Sequence, residues 1–189
     1  MDHYIDIRLR PDPDFAPAIL MGALYNKLHR ALFDLQAADV GVSFPDHKHG
    51  LRARTLGDHL RLHGTQARLQ QLMNAVWLTG MRDHAQVSEV LAVPAGAQHI
   101  NAARKQFNTG SPSRAKRYAK RHDISEEEAQ QIYAKLAERR IELPFVQINS
   151  RSTQQRFSLF IEHCKPQEKP VAGTFSHYGL SPNATVPWF

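Results

Sequence analysis

Residues 4–35, YIDIRLRPDPDFAPAILMGALYNKLHRALFDL, change periodicity once, and that change decides how the chain begins to fold. Over 4–10, apolar Ile5, Ile7 and Leu9 alternate with polar Asp6 and Arg8, the two-residue repeat of a half-buried strand. After the PDPD turn, Pro17 suits the first turn of a helix, where its missing N–H costs nothing. From there Ile19, Leu20, Ala23, Leu24, Leu28, Ala31, Leu32 and Leu35 recur at helical spacing, which predicts a long helix over 16–35.

Working outward, VGVSF at 40–44 predicts a short strand. The DHLRLHG run predicts another, with Leu60 and Leu62 facing one way. Thr65 offers an N-cap for a helix carrying Ala67, Leu69, Leu72, Met73, Val76 and Trp77, closed by Gly80, and 86–93 reads as a further strand. The order β-α-β-β-α-β is the ferredoxin-like split arrangement. Pro94, Gly96 and the TGSPS stretch mark a change of composition, taken as a boundary between two domains. The expected class is α+β: a ferredoxin-like (βαββαβ) domain over 1–94, then a C-terminal α/β lobe over 95–189 with an arginine/lysine-rich helix. A ferredoxin-like fold alone does not decide function.

With 189 residues, 42% of them hydrophobic, the chain has too much apolar material for a disordered protein. No run approaches the ~18 apolar residues of a membrane span. The N-terminus has an acidic second residue and no apolar signal region, so a soluble, cytoplasmic protein without membrane contact is expected. The one cysteine, Cys164, excludes an internal disulfide and a cysteine-rich zinc cluster. His59 and His63, four apart in a strand, are expected on one exposed face without a third ligand, and His47 and His49 in a polar loop; no metal site is assigned. Phosphate-cradling and serine-hydrolase motifs are missing from the sequence.

Charge is distributed unevenly. Between Val90 and His122 there is no Asp or Glu, whereas Arg104, Lys105, Arg114, Lys116, Arg117, Lys120 and Arg121 all fall there. Remove those seven from the 24 bases and 17 face 18 acids, so the excess sits in one segment. This is the footprint of polyanion binding, with a solvated basic face as the alternative. On a helix starting at Pro112 and capped by Ser111, Arg114, Lys116, Arg117, Lys120 and Arg121 share an arc of roughly 160°, leaving Ala115, Tyr118 and Ala119 behind. Ser125 and Glu128 form a capping box, so the acidic cluster begins a new helix. PFVQIN at 144–149 and RFSLFIEH at 156–163 alternate like paired strands. His29 lies beside the apolar stripe of the first helix, one turn after Tyr25; position alone favours a structural or surface role over a catalytic one.

Five separated segments, in order, carry a resemblance: MDHYIDIRLRPDP, LYNKLHRAL, the basic stretch into KRHDISEEEA, LPFVQINSRSTQQRF, and HYGLS followed by VPWF. Together they resemble the hairpin-RNA endoribonucleases that process CRISPR transcripts in type I-F systems. The resemblance implies cleavage of each CRISPR repeat at the 3′ base of its stem-loop, without metal or other cofactor. It also implies a chain that is monomeric when free and that keeps its product, mature crRNA, beside other subunits of the surveillance complex. His29 matches the general base, Ser150 a serine that positions the attacked 2′-hydroxyl, and Tyr178 a tyrosine that orients the histidine. Arg104 and Gln106 match a pair that reads bases in the major groove, by bidentate bonds to guanine and adenine. Arg114, Lys116, Arg117, Lys120, Arg121 and His122 would bind phosphates along the groove. Phe157 matches an aromatic that stacks beneath the terminal base pair, and Ser152 and Thr153 would line the same site. A non-enzymatic reading, an RNA-hairpin scaffold that binds without cutting or cuts slowly, is the alternative.

Overall fold

The apolar side of the first strand becomes the floor of the core. In the computed structural model, which describes residues 1–50, 52–107, 112–137, 141–149 and 155–189, β1 (His3–Leu9) buries Ile5, Ile7 and Leu9. α1 (Pro17–Asp34) has Pro17 in its first turn and lays Leu20, Leu24, Leu28 and Leu32 into the same core. β2 (Gly41–Ser43), β3 (His59–Gly64), α2 (Gln66–Asn74), β4 (Ala85–Val87) and β5 (Leu91–Ala92) follow. The sheet runs β2-β3-β1-β4, with β5 also paired to β1, and every pairing is antiparallel. Ile5 lies opposite Leu62 and Ile7 opposite Leu60, so the apolar residues of both central strands share one face.

Three local expectations change. The strand read over 86–93 is two short ones, because Ser88 takes over Asp6 between them. The Asp6 N–H donates to Ser88 Oγ at 2.9 Å, and the Ser88 N–H donates to the Asp6 carbonyl at 2.9 Å. α2, capped by Thr65 Oγ1 on the Arg68 N–H, stops at Asn74, before Val76 takes φ of 51°. The largest correction concerns β3: His59 and His63 are 1% and 0% exposed, not on an open face. The second side of the strand carries a buried polar layer. Arg61 forks onto Asp6 (Nε to Oδ1 2.7 Å, Nη2 to Oδ2 3.0 Å), with its guanidinium against the rings of both Tyr4 and Phe189, which meet edge to face. Its Nη1 donates to the Phe189 main-chain oxygen at 2.9 Å, His59 Nε2 lies 2.7 Å from Asp6, and Ser43 Oγ bonds His63 Nε2 at 2.8 Å.

The remaining elements are β6 (Gln98–Ile100), β7 (Ala102–Lys105), α3 (Pro112–His122), α4 (Glu126–Ala137), β8 (Phe145–Asn149), β9 (Arg156–His163) and β10 (Val186–Trp188). β6 pairs with β10, and β7-β9-β8 form a third sheet, again antiparallel. The architecture is thus α+β with antiparallel sheets. The chain divides into two compact units. One holds Met1–Lys105 with Leu143–Phe189, and the other holds Gln106–Glu142. The smaller is a helical hairpin in which Ala115 and Ala119 of α3 pack with Ala129 and Tyr133 of α4. Ser125 and Glu128 close the capping box: Ser125 Oγ accepts the Glu128 N–H at 3.1 Å, and Glu128 Oε2 accepts the Ser125 N–H at 3.2 Å. Among the described residues no helix is long and apolar enough to cross a membrane.

Candidate active site

Backbone ties bring the chain near residue 178 onto the first helix. Phe175 N–H donates to the Ala38 carbonyl at 2.9 Å, and Val42 N–H donates to the Gly179 carbonyl at 2.9 Å, holding this segment along the free edge of β2. Gly179 has φ of 67°, and a Cβ there would lie 2.6 Å from Val42 Cγ1, so both the turn and the close approach need glycine. Tyr25, fully buried on α1, donates its hydroxyl proton to the Tyr178 carbonyl at 2.6 Å.

That anchorage puts the Tyr178 ring against His29. The two rings stack with centroids 4.0 Å apart and 9° between planes. His29 Nδ1 lies 3.0 Å from the His177 carbonyl oxygen. A carbonyl only accepts, so Nδ1 carries the ring proton and Nε2 keeps its lone pair. Half-buried, the imidazole has its pKa lowered, first by burial, which disfavours the charged form, and then by the positive charge of neighbours including Arg30; the His177 bond opposes this. Desolvation is thus the main cause that favours the neutral ring.

Arg104 and Phe157 join the same cluster. The Arg104 guanidinium sits 5.6 Å over the Phe157 ring and 5.9 Å over the Tyr178 ring, which ties β7 and β9 to the tail. Burial raises the Tyr178 hydroxyl and the Arg104 charge opposes the shift, so the phenol stays protonated at neutral pH. His29, Tyr178, Arg104 and Phe157 are thus brought together. Ser150, Ser152 and Thr153 lie outside the described residues.

The helical unit is described by itself. Arg114, Lys116, Arg117, Lys120, Arg121 and His122 are all exposed on α3, while Ala115 and Ala119 are buried, so the cationic arc is free of the hairpin core. Lys116 pairs with Glu126 at 3.3 Å, and Arg114, Arg117 and Arg121 line a hollow with Tyr118 and Tyr133. Gln106 is exposed at the start of this unit.

Sequence reasoning missed Asn26. Its Nδ2 donates to the Gly22 carbonyl at 2.7 Å and to the Gln147 carbonyl at 2.8 Å, and its Oδ1 accepts the Asn149 N–H at 2.9 Å. Alternate backbone groups of a strand point the same way, so one amide, three residues before His29, clamps the edge of β8 immediately ahead of Ser150. A polar residue partly buried amid an apolar stripe was the available signal. Asn26→Ala removes the partner of two strand backbone groups that water can reach and is expected to lower stability by about 0.5–1.5 kcal/mol in chemical denaturation.

Residues 4–189 match the family model described as CRISPR-associated protein (Cas_Csy4). Over 189 residues, with all of both chains covered, the sequence is 44% identical to the "CRISPR-associated endonuclease Cas6/Csy4" of Pseudomonas aeruginosa (strain UCBPP-PA14). It is 43% identical, over the same full span, to the protein of that name from Escherichia coli (strain UTI89 / UPEC).

Proposed function

Because the chain belongs to the Cas_Csy4 family of CRISPR-associated proteins, a family whose curated relatives are named endonucleases, we propose that it matures CRISPR RNA by cutting each repeat at the 3′ base of its stem-loop. It is a pre-crRNA endoribonuclease whose RNA brings its own nucleophile, the 2′-hydroxyl next to the scissile phosphate. The enzyme holds that oxygen in line with phosphorus and removes its proton, and needs no metal to do so. Attack forms the new 2′-O–P bond and breaks the P–5′-O bond, leaving a 2′,3′-cyclic phosphate on the hairpin and a 5′-hydroxyl on the departing strand.

The observation that carries this reading is the His29 ring, clamped between its bond to the His177 carbonyl and the stacked Tyr178, with Nε2 left as the proton acceptor. Tyr178 orients the ring and Ser150 positions the 2′-hydroxyl. Phe157 stacks under the last base pair, Arg104 and Gln106 read bases at the stem foot, and Ser152 and Thr153 line the site. The exposed cations of α3, with His122, hold phosphates along the groove. In this reading residues 1–94 are a ferredoxin-like domain supplying the base, a view supported by the β2-β3-β1-β4 order and its antiparallel pairings. Residues 95–189 are the RNA-binding lobe. The protein works in the cytoplasm, is a monomer when free, and retains the cut hairpin as a subunit of the type I-F surveillance complex.

Incubation with a repeat hairpin from the same locus, in EDTA, tests this directly. One cut at the stem base with cyclic-phosphate and 5′-hydroxyl ends is expected. Binding without cutting would leave the scaffold reading, and a requirement for added metal would overturn the mechanism.

A further inference from the structure

One turn of α1 carries two residues tied to the proposed chemistry. His29 presents the base, and Asn26, three residues earlier and so a neighbour on the same helix face, holds the strand that leads to Ser150. The Asn26 amide is fully committed. Its Nδ2 donates to the Gly22 carbonyl at 2.7 Å and to the Gln147 carbonyl at 2.8 Å, and its Oδ1 accepts the Asn149 N–H at 2.9 Å. The Gly22 bond steadies the side chain on its own helix. Toward β8 the amide makes the two bonds that a residue of a neighbouring parallel strand would make, one to a carbonyl and one to the N–H two residues on. Reversing the amide would set N–H against N–H and oxygen against oxygen, so only one orientation serves.

β8 is an outer strand of β7-β9-β8, and an amide that occupies bonding groups along its open edge has a structural use already. Position adds a second use. Asn149 immediately precedes Ser150, so the clamp closes one peptide short of the serine assigned to the 2′-hydroxyl. Asn26 and His29 are separated by about 4.5 Å of rise along one helix. The same turn therefore fixes the base, through His29 and the His177 carbonyl, and the end of the strand, through Asn26. Phe157 is held differently, on β9, the middle strand, which has β7 as its second partner. We propose that Asn26 is a positioning residue, which sets the distance between the Ser150 that holds the attacked 2′-hydroxyl and the His29 that takes its proton. The inference rests on the roles given to His29 and Ser150 under Proposed function. Its consequence is that Asn26 acts on the rate of cutting and not on the grip on the hairpin.

Rate and grip are separated by single-turnover cutting of an all-ribose repeat hairpin, with protein in excess, and by binding of the same hairpin with a 2′-deoxy nucleotide at the cut site. Asn26→Ala is expected to cut about tenfold more slowly, with the Kd for the uncleavable hairpin within about twofold of the unmodified protein. Asn26→Asp keeps the size of the side chain but turns oxygen toward the Gln147 and Gly22 carbonyls, and should lose as much. The midpoint of rate against pH should stay in place, since the bond that fixes His29 Nδ1 is made to His177. In a Ser150→Ala background, Asn26→Ala should slow cutting by less than about a further twofold, because both changes remove one arrangement. A merely structural Asn26 would leave the rate of the folded protein unchanged. Rates within about twofold of the unmodified protein in both Asn26 variants would overturn the proposal. So would the full loss repeated in Ser150→Ala, or a loss of rate matched by an equal loss of affinity. Failure of the underlying reading would register separately, as an unmodified protein that leaves the all-ribose hairpin uncut or a Ser150→Ala protein that cuts at the normal rate.

Discussion

His29→Ala is expected to slow cutting of the repeat hairpin by about a hundredfold to ten-thousandfold while leaving affinity for that hairpin within about threefold of the unmodified protein. The range is what a positioned general base supplies. The separation of rate from binding follows from geometry: His29 contributes one partly buried ring at the tail, whereas the cations and aromatics assigned to RNA contact are other residues. A hairpin with a 2′-deoxy nucleotide at the cut site should copy the phenotype, bound but uncut, because each change removes one end of the same proton transfer. The pH profile supplies the sign. Nε2 accepts a proton only in the neutral ring, so the rate should rise with pH and level off once His29 is deprotonated. Burial lowers the His29 pKa, so the midpoint should fall below the usual histidine value of about 6.5. Single-turnover kinetics from acid to neutral pH measure both. A midpoint above that value, or His29→Ala cutting at the normal rate, would remove His29 from the base role.

The second large effect is on stability. Asp6→Ala is expected to cost about 3 kcal/mol, because it leaves the Arg61 guanidinium, 6% exposed, without its carboxylate. Burial alone would raise the Asp6 carboxyl, but contacts with His59 and Arg61 more than offset it and hold the group well below the usual carboxylate range. A carboxyl depressed in the folded state stabilises fully above its unfolded pKa of about 3.9 and loses that contribution as pH falls toward the folded value. Asp6→Ala is therefore expected to start from lower stability, with a weaker slope of stability against pH below about 4. Replacing both partners, as in Asp6→Leu with Arg61→Met, should cost less than Asp6→Ala alone, since an apolar side chain at 61 can pack against the Tyr4 and Phe189 rings and leaves no unpaired charge. Urea denaturation of the three proteins decides the matter.

What was legible in the sequence divides along contact range. β1 and α1 announce themselves because their periodicities are local and strong, and the Ser125–Glu128 box fixes the start of α4 within four residues. β6 and β10 carry no such signal: each is three residues long and acquires a partner only through the fold. β3 misleads for the same reason. A strand with His59, Arg61 and His63 on one side reads as solvated on that side, and only the distant Asp6, Tyr4 and Phe189 convert that side into interior. For His29 the helix position says little. The carbonyl that sets its tautomer is 148 residues away, so resemblance to a family, and not spacing, singled it out. Asn26 was passed over because its partners are backbone groups on a strand more than a hundred residues later.

The Arg61 bond to the main-chain oxygen of Phe189 spans 128 residues and sets a timetable for synthesis. At roughly 5–20 residues per second, the ribosome adds that interval in on the order of 6–26 s. Throughout it the paired β1 and β3 hold a guanidinium that already has Asp6 and Tyr4 beside it but lacks the Phe189 ring. Closure of this layer is thus a late event in folding, and chaperone contact should concentrate on chains in which that ring is not yet docked.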